Sequence, residues 1–138
     1  MPKLIPSRLS MLAKGSILAA GLATMAGAAF AQNLLAPVVR VNDYVVTEFE
    51  VQQRQRFLQV LNAPGADRES VLEGLIDDRL RNQATARAGI EVTEEGLREG
   101  LTDFASRAIL TAEDFVTALG QAGVEAETFR DFVRNSLE

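Results

Sequence analysis

The chain of 138 residues has no cysteine, no histidine and no tryptophan, and its two lysines, Lys3 and Lys14, both lie near the start. Without cysteine there is no disulfide, no thiolate metal site and no thiol redox chemistry, so stability must come from packing. The missing histidine removes the commonest general base and the commonest metal ligand. Serine and threonine are present, but no His or Lys stands near enough to activate them as nucleophiles. No glycine-rich phosphate loop or calcium-loop spacing occurs; "NAPGAD" reads as a turn. Asp77 and Asp78 are adjacent on a helical stretch, so their side chains point about 100° apart and cannot share a proton. They read instead as a solvated helix face beside Arg79 and Arg81. No catalytic site, metal or cofactor is expected of this chain.

What is present begins with a leader. Lys3, Arg8 and Lys14 form a positive front, and Gly15 to Ala31 follow as an apolar run ending in Ala29-Phe30-Ala31. Small residues at Ala29 and Ala31, with Gln32 next, fit a cleavable secretory signal peptide over residues 1–31 and export to a periplasm. The alternative is an anchor that stays in the membrane, for which a Gly- and Ala-rich run of 17 residues is at the lower limit. Residues 32–138 would then form one domain. In that part 11 arginines face 19 acidic residues, a formal charge of −8. So acidic a chain lacks the clustered positive charge that nucleic acid or anionic lipid requires.

The mature part reads as mainly α, with a short N-terminal β-hairpin followed by about five helices. In "VVRVNDYVVTEFE", Val39, Val41 and Val45 alternate around an Asn42-Asp43 turn. Thr47 with Glu50 makes a capping box that opens a helix to about Asn62, carrying Phe49, Phe57, Leu58 and Leu61. Its middle, "QQRQR", is strongly polar, so its buried stripe must be narrow. Asp67 caps a second helix on which Val71, Leu72, Leu75, Ile76, Leu80 and Ala84 recur at helical steps, with Ile76 at the centre of a Leu72–Ile76–Leu80 core stripe. Gly89 ends it. Thr93 opens a third helix, Thr111 a fourth that closes near Gly123, and the fifth begins near Glu125. The fifth carries Phe129, Phe132, Val133 and Leu137 and meets no stop signal, with Asn135 inside the stripe.

Two features of this pattern point outward. A lone two-stranded ribbon is marginal in water, and no later stretch reads as a strand to pair with it. The valines of the hairpin are therefore expected to lack a partner within Gln32 to Glu138. The chain then reads as a piece that is incomplete without a further C-terminal segment. The phenylalanines Phe49, Phe57, Phe104, Phe115, Phe129 and Phe132 all lie on apolar stripes, which reads first as core. Five short helices cannot bury every stripe, however, and apolar surface left over usually binds something. Phe57, Leu61, Phe104, Phe115 and Phe129 are the candidates to line such a groove.

"VVRVNDYVVTEFEV", "VLEGLIDDRLRNQATARAGIEVTEEGL" and "FRDFVRNSLE" together resemble the N-terminal domain of the SurA family, periplasmic chaperones and parvulin-type peptidyl-prolyl isomerases. The resemblance implies an ATP-independent chaperone domain that holds unfolded outer-membrane proteins, or aromatic-rich peptides, in an apolar helical groove. It also implies a C-terminal segment of a longer parent protein that completes the domain and supplies a strand partner to the hairpin. Isomerase activity would belong to parvulin modules missing here. The alternatives are a fragment of a full-length peptidyl-prolyl cis-trans isomerase and a membrane-anchored relative.

Overall fold

The computed structural model describes residues 33–138, so the expected leader and its expected cleavage site at Ala29, Ala31 and Gln32 lie outside the described residues. Strands β1 (Pro37–Val41) and β2 (Tyr44–Thr47) pair antiparallel, with Val39 opposite Val46 and Val41 opposite Tyr44. Asn42 makes the reversal with φ at +57°, a conformation Asn tolerates because its short polar side chain can bond locally. Five helices follow: α1 (Glu48–Val60), α2 (Arg68–Arg87), α3 (Glu94–Ser106), α4 (Ala112–Gln121) and α5 (Ala126–Leu137).

Local chemistry starts each helix. Thr47 accepts from the Glu50 amide while the Glu50 carboxylate accepts from the Thr47 amide, a complete capping box. Asp67, Thr93 and Thr111 accept from Ser70, Gly96 and Asp114 in the same way. The hydrogen bond donated by the Ser70 backbone N–H holds the Asp67 carboxyl below its usual range. Helix α5 has no cap of its own, because Glu125 makes no side-chain cap bond. Gln53 of α1 substitutes: its Oε1 accepts the Glu125 amide at 2.8 Å, and its Nε2 donates to the Gly123 carbonyl at 3.3 Å.

Two apolar clusters share α1 as their spine. The larger unites Phe57 with Leu97, Ala105, Phe115, Leu119, Val124, Phe129 and Val133, drawn from α3, α4, α5 and the turn before α5. Helices α3 and α5 approach closely at Gly100, where an added Cβ would stand 3.0 Å from Val133 and Leu137. The smaller cluster joins Val46 of the hairpin to Val51 of α1 and Val71 and Leu75 of α2.

That second cluster corrects the expectation for the hairpin. Val46 is fully buried and Val41 nearly so, while Val38 and Val39 pack against the same cluster. The inner face of the ribbon therefore has its partner in α1 and α2, and the Asn42 side-chain Nδ2 donates to Gln83 Oε1 of α2 at 2.7 Å. A helix face can cover a ribbon as well as a third strand can, which a search for strands alone overlooks.

The core face of α2 is corrected too. The buried positions are Val71, Leu75, Asp78 and Thr85, whereas Ile76 is half-buried and Leu80 is exposed. The inward stripe contains an acid and a hydroxyl, so counting apolar residues alone selects the neighbouring face. Replacing Leu75 with Ala is expected to cost about 2–5 kcal/mol, and Ile76→Ala clearly less, in denaturant melts of the two variants.

Candidate functional site

The "QQRQR" segment of α1 carries the polar wiring of the domain. Arg54 is buried, and its Nη2 donates to Asp78 Oδ2 at 2.9 Å. Asn135 of α5 donates its Nδ2 to the same oxygen at 3.0 Å, and Arg81 stands 3.5 Å from Oδ1. Asp78 is thus an interior acceptor joining α1, α2 and α5, not part of a solvated face, which corrects the reading of the Asp77-Asp78 pair. Asp77 does face water. The Arg54 guanidinium also lies over the Phe132 ring at 4.9 Å, where a cation is attracted to the ring face. Every side-chain polar atom buried among the described residues has a partner, as stability demands of such a network.

Above this network α1, α2 and α5 leave a cleft of about 160 Å³. Phe49 and Leu75 form its apolar wall; the Glu50–Arg79 ion pair, Glu127 and Asp131 form its charged rim. Cofactor and drug-sized sites run to roughly 300–1,000 Å³, and this cleft is smaller than that. Partial burial, with the Glu127 charge next, pushes the Asp131 carboxyl above its usual range; Arg134 and Arg79 oppose the rise and Glu50 adds to it. At the first residue of α1, Arg68 donates to both oxygens of Glu48 at 2.8 and 2.7 Å. These bonds, with a smaller one from Gln52, hold the Glu48 carboxyl below its usual range. Among the described residues no three carboxylates cluster as a metal site would need, and no helix is long and apolar enough to cross a membrane.

The five residues singled out for an apolar groove do come together, but mostly inside. Phe57, Phe115 and Phe129 are buried in the larger cluster, while Leu61 and Phe104 are half-buried against it. Their rings interlock: Phe104 meets Phe115 and Phe129 edge-on at 5.7 and 5.3 Å, and Phe115 lies 4.9 Å from Phe129. Such tilted and edge-on pairs are favoured over stacked sandwiches. In this closed arrangement the phenyl groups fill space between α1, α3, α4 and α5 and do not line an open groove. Sequence reasoning missed Arg54, Asp78 and Gln53, whose roles depend on contacts across 24 to 75 positions of chain. Asn135, out of place in an apolar stripe, was the one visible sign of a polar contact there.

A two-stranded hairpin docked on five helices defines a domain of mainly helical class. The model of the SurA N-terminal domain family matches residues 35–138, and the chain belongs to that family. Curated relatives named Chaperone SurA agree. The Alcanivorax borkumensis protein is 33% identical over 72% of this chain, that of Nitrosococcus oceani 35% over 80%, and that of Pseudomonas fluorescens 32% over 84%. These matches span 25%, 28% and 29% of the relatives' own lengths. No solved structure matches the chain significantly.

The raised Asp131 gives a pH signature. Its folded pKa lies above the unfolded value of about 3.9, so ionisation at neutral pH works against the folded state. Asp131→Asn is therefore expected to melt slightly higher than the wild type at pH 7. The difference should shrink as pH falls through the raised folded value and vanish by pH ~3, where the acid is mostly protonated in both states. Thermal melts of both proteins from pH 3 to 8 check this.

Proposed function

We propose that the chain is the client-holding domain of a periplasmic, ATP-independent chaperone that keeps unfolded outer-membrane proteins from aggregating. The observation that carries this reading is the family match across residues 35–138, which takes in almost every described residue. The relatives' printed name, Chaperone SurA, supplies the class of activity; the outer-membrane clients come from the resemblance. The leader expected at residues 1–31 would accord with export to a periplasm.

In this reading Phe57, Leu61, Phe104, Phe115 and Phe129 meet clients when α3 and α4 swing away from α1. In the closed form only Leu61 and Phe104 present part of their surface. Weak contact at several points suits such a task, because a disordered client loses conformational entropy on binding and affinity stays modest. The outer edges of β1 and β2 have no ladder partner among the described residues. They would accept a strand from a C-terminal segment of a longer parent protein, which would stabilise the domain by binding only its folded form. Isomerase activity of such a parent would rest on other modules, and no observation in this domain favours it.

The test is light scattering after dilution of a urea-unfolded outer-membrane β-barrel protein into buffer, with and without the chain. Suppression that grows with the ratio of chain to client, with half-saturation at micromolar concentration, is expected. Unchanged scattering at every ratio would overturn the proposal.

A further inference from the structure

Four helices end with the same backbone device. The amide two residues past the turn reaches back five positions to a helix carbonyl: Ala63 to Leu58, Ile90 to Thr85, Leu110 to Ala105 and Val124 to Leu119, at 2.9, 2.9, 3.2 and 2.9 Å. Each such ending needs one residue with positive φ, and three of the four carry a suitable one: Asn62 at +50°, Gly89 at +69° and Gly123 at +78°. The fourth, between α3 and α4, carries Ile109 at +59°. A β-branched residue there crowds its own backbone and is a genuine outlier, with a cost that Gly or Asn would avoid.

That cost brings no visible return in the folded chain. Ile109 is 93% exposed, more than any other large apolar residue among those described, and Leu110 beside it is 39% exposed. The corner links α3, which carries Phe104, to α4, which carries Phe115, and these two rings meet edge-on. Strain held at an exposed position is a reason to look for something it contacts.

We propose that Ile109, with Leu110, is a client-contacting knob that engages apolar side chains of an unfolded polypeptide at the outer end of the phenyl cluster. This rests on the chaperone reading and adds a specific site to it. A convex corner encloses no small molecule. Two side chains also supply only a small part of the roughly 800 Å² per partner that a stable interface between folded copies needs. A flexible apolar segment, held by several weak contacts, fits what this corner offers.

The experiment compares wild type, Ile109→Asn, Ile109→Gly and Leu80→Gln, all as the purified exported chain. Leu80 is a useful control because it is 48% exposed on regular helix without backbone strain. The probe is a fluorescently labelled, urea-unfolded outer-membrane β-barrel protein. Ile109→Asn is expected to raise the melting midpoint by about 4 °C or more, since strain is relieved. It should also weaken client binding by about threefold or more, as should Ile109→Gly, because an apolar contact is lost. Leu80→Gln should bind the client as wild type does. Wild-type binding that all the variants share would overturn the knob and leave the chaperone reading standing. A loss as large in Leu80→Gln would reduce the effect to general surface hydrophobicity and overturn it as well. Lower melting midpoints in both Ile109 variants would mean that the residue serves the fold. A wild type that holds no client would sink the chaperone reading and the knob together.

Discussion

Asp78 sits on the inner face of α2, away from water, and a carboxylate in that position must be met by donors from elsewhere. Arg54 of α1 and Asn135 of α5 meet it, both at Oδ2, so three helices converge on one oxygen atom. Much of the architecture is arranged around that constraint. It places α5 across α1 and α2, which lets Phe129 and Val133 enter the larger cluster from one side. Taking two charges out of water costs several kcal/mol per ion, and removing one partner of such a pair costs about 3–5 kcal/mol. A polar contact of this kind therefore selects one arrangement of helices even where its net contribution to stability is small.

The ends of the elements were legible in the sequence, because their determinants are local. Thr47, Asp67, Thr93 and Thr111 each accept the amide three residues on, and Gly89 and Gly123 each take the positive φ that ends a helix. The hairpin turn at Asn42 was legible for the same reason. What could not be read depends on contacts far apart in the chain. Asp78 and Thr85 face inward only because Arg54, Asn135 and the α5 end lie opposite, and no periodicity of apolar residues can register that. The polar run from Gln52 to Arg56 reads in the sequence only as a narrowing of the buried stripe. Gln53 in fact replaces the missing cap of α5, and Gln55 donates to the Ala66 carbonyl in the turn before α2.

The candidate site was half legible. Helical spacing identified the phenylalanines that converge, and they do converge around Phe57. Spacing carries no information about whether such a cluster is open or closed, and here the rings are packed together between four helices. The domain keeps its largest apolar cluster in its interior. What it shows to solvent is a set of corners, of which the strained Ile109 is the most exposed. Under the proposed function, clients would meet such corners before the buried rings.

Whether the interior polar contact holds the helices together is the central claim, and a double-mutant cycle on Arg54 and Asp78 tests it most directly. Stability would be measured by urea melts of wild type, Arg54→Ala, Asp78→Ala and the double variant. Each single change should be strongly destabilising, and the double variant should lose clearly less than the two losses added together. The coupling should lie near the upper end of the roughly 0.5–3 kcal/mol seen for directly interacting pairs. Losses that simply add, with a coupling within about 0.5 kcal/mol of zero, would show two independent side chains and contradict the account.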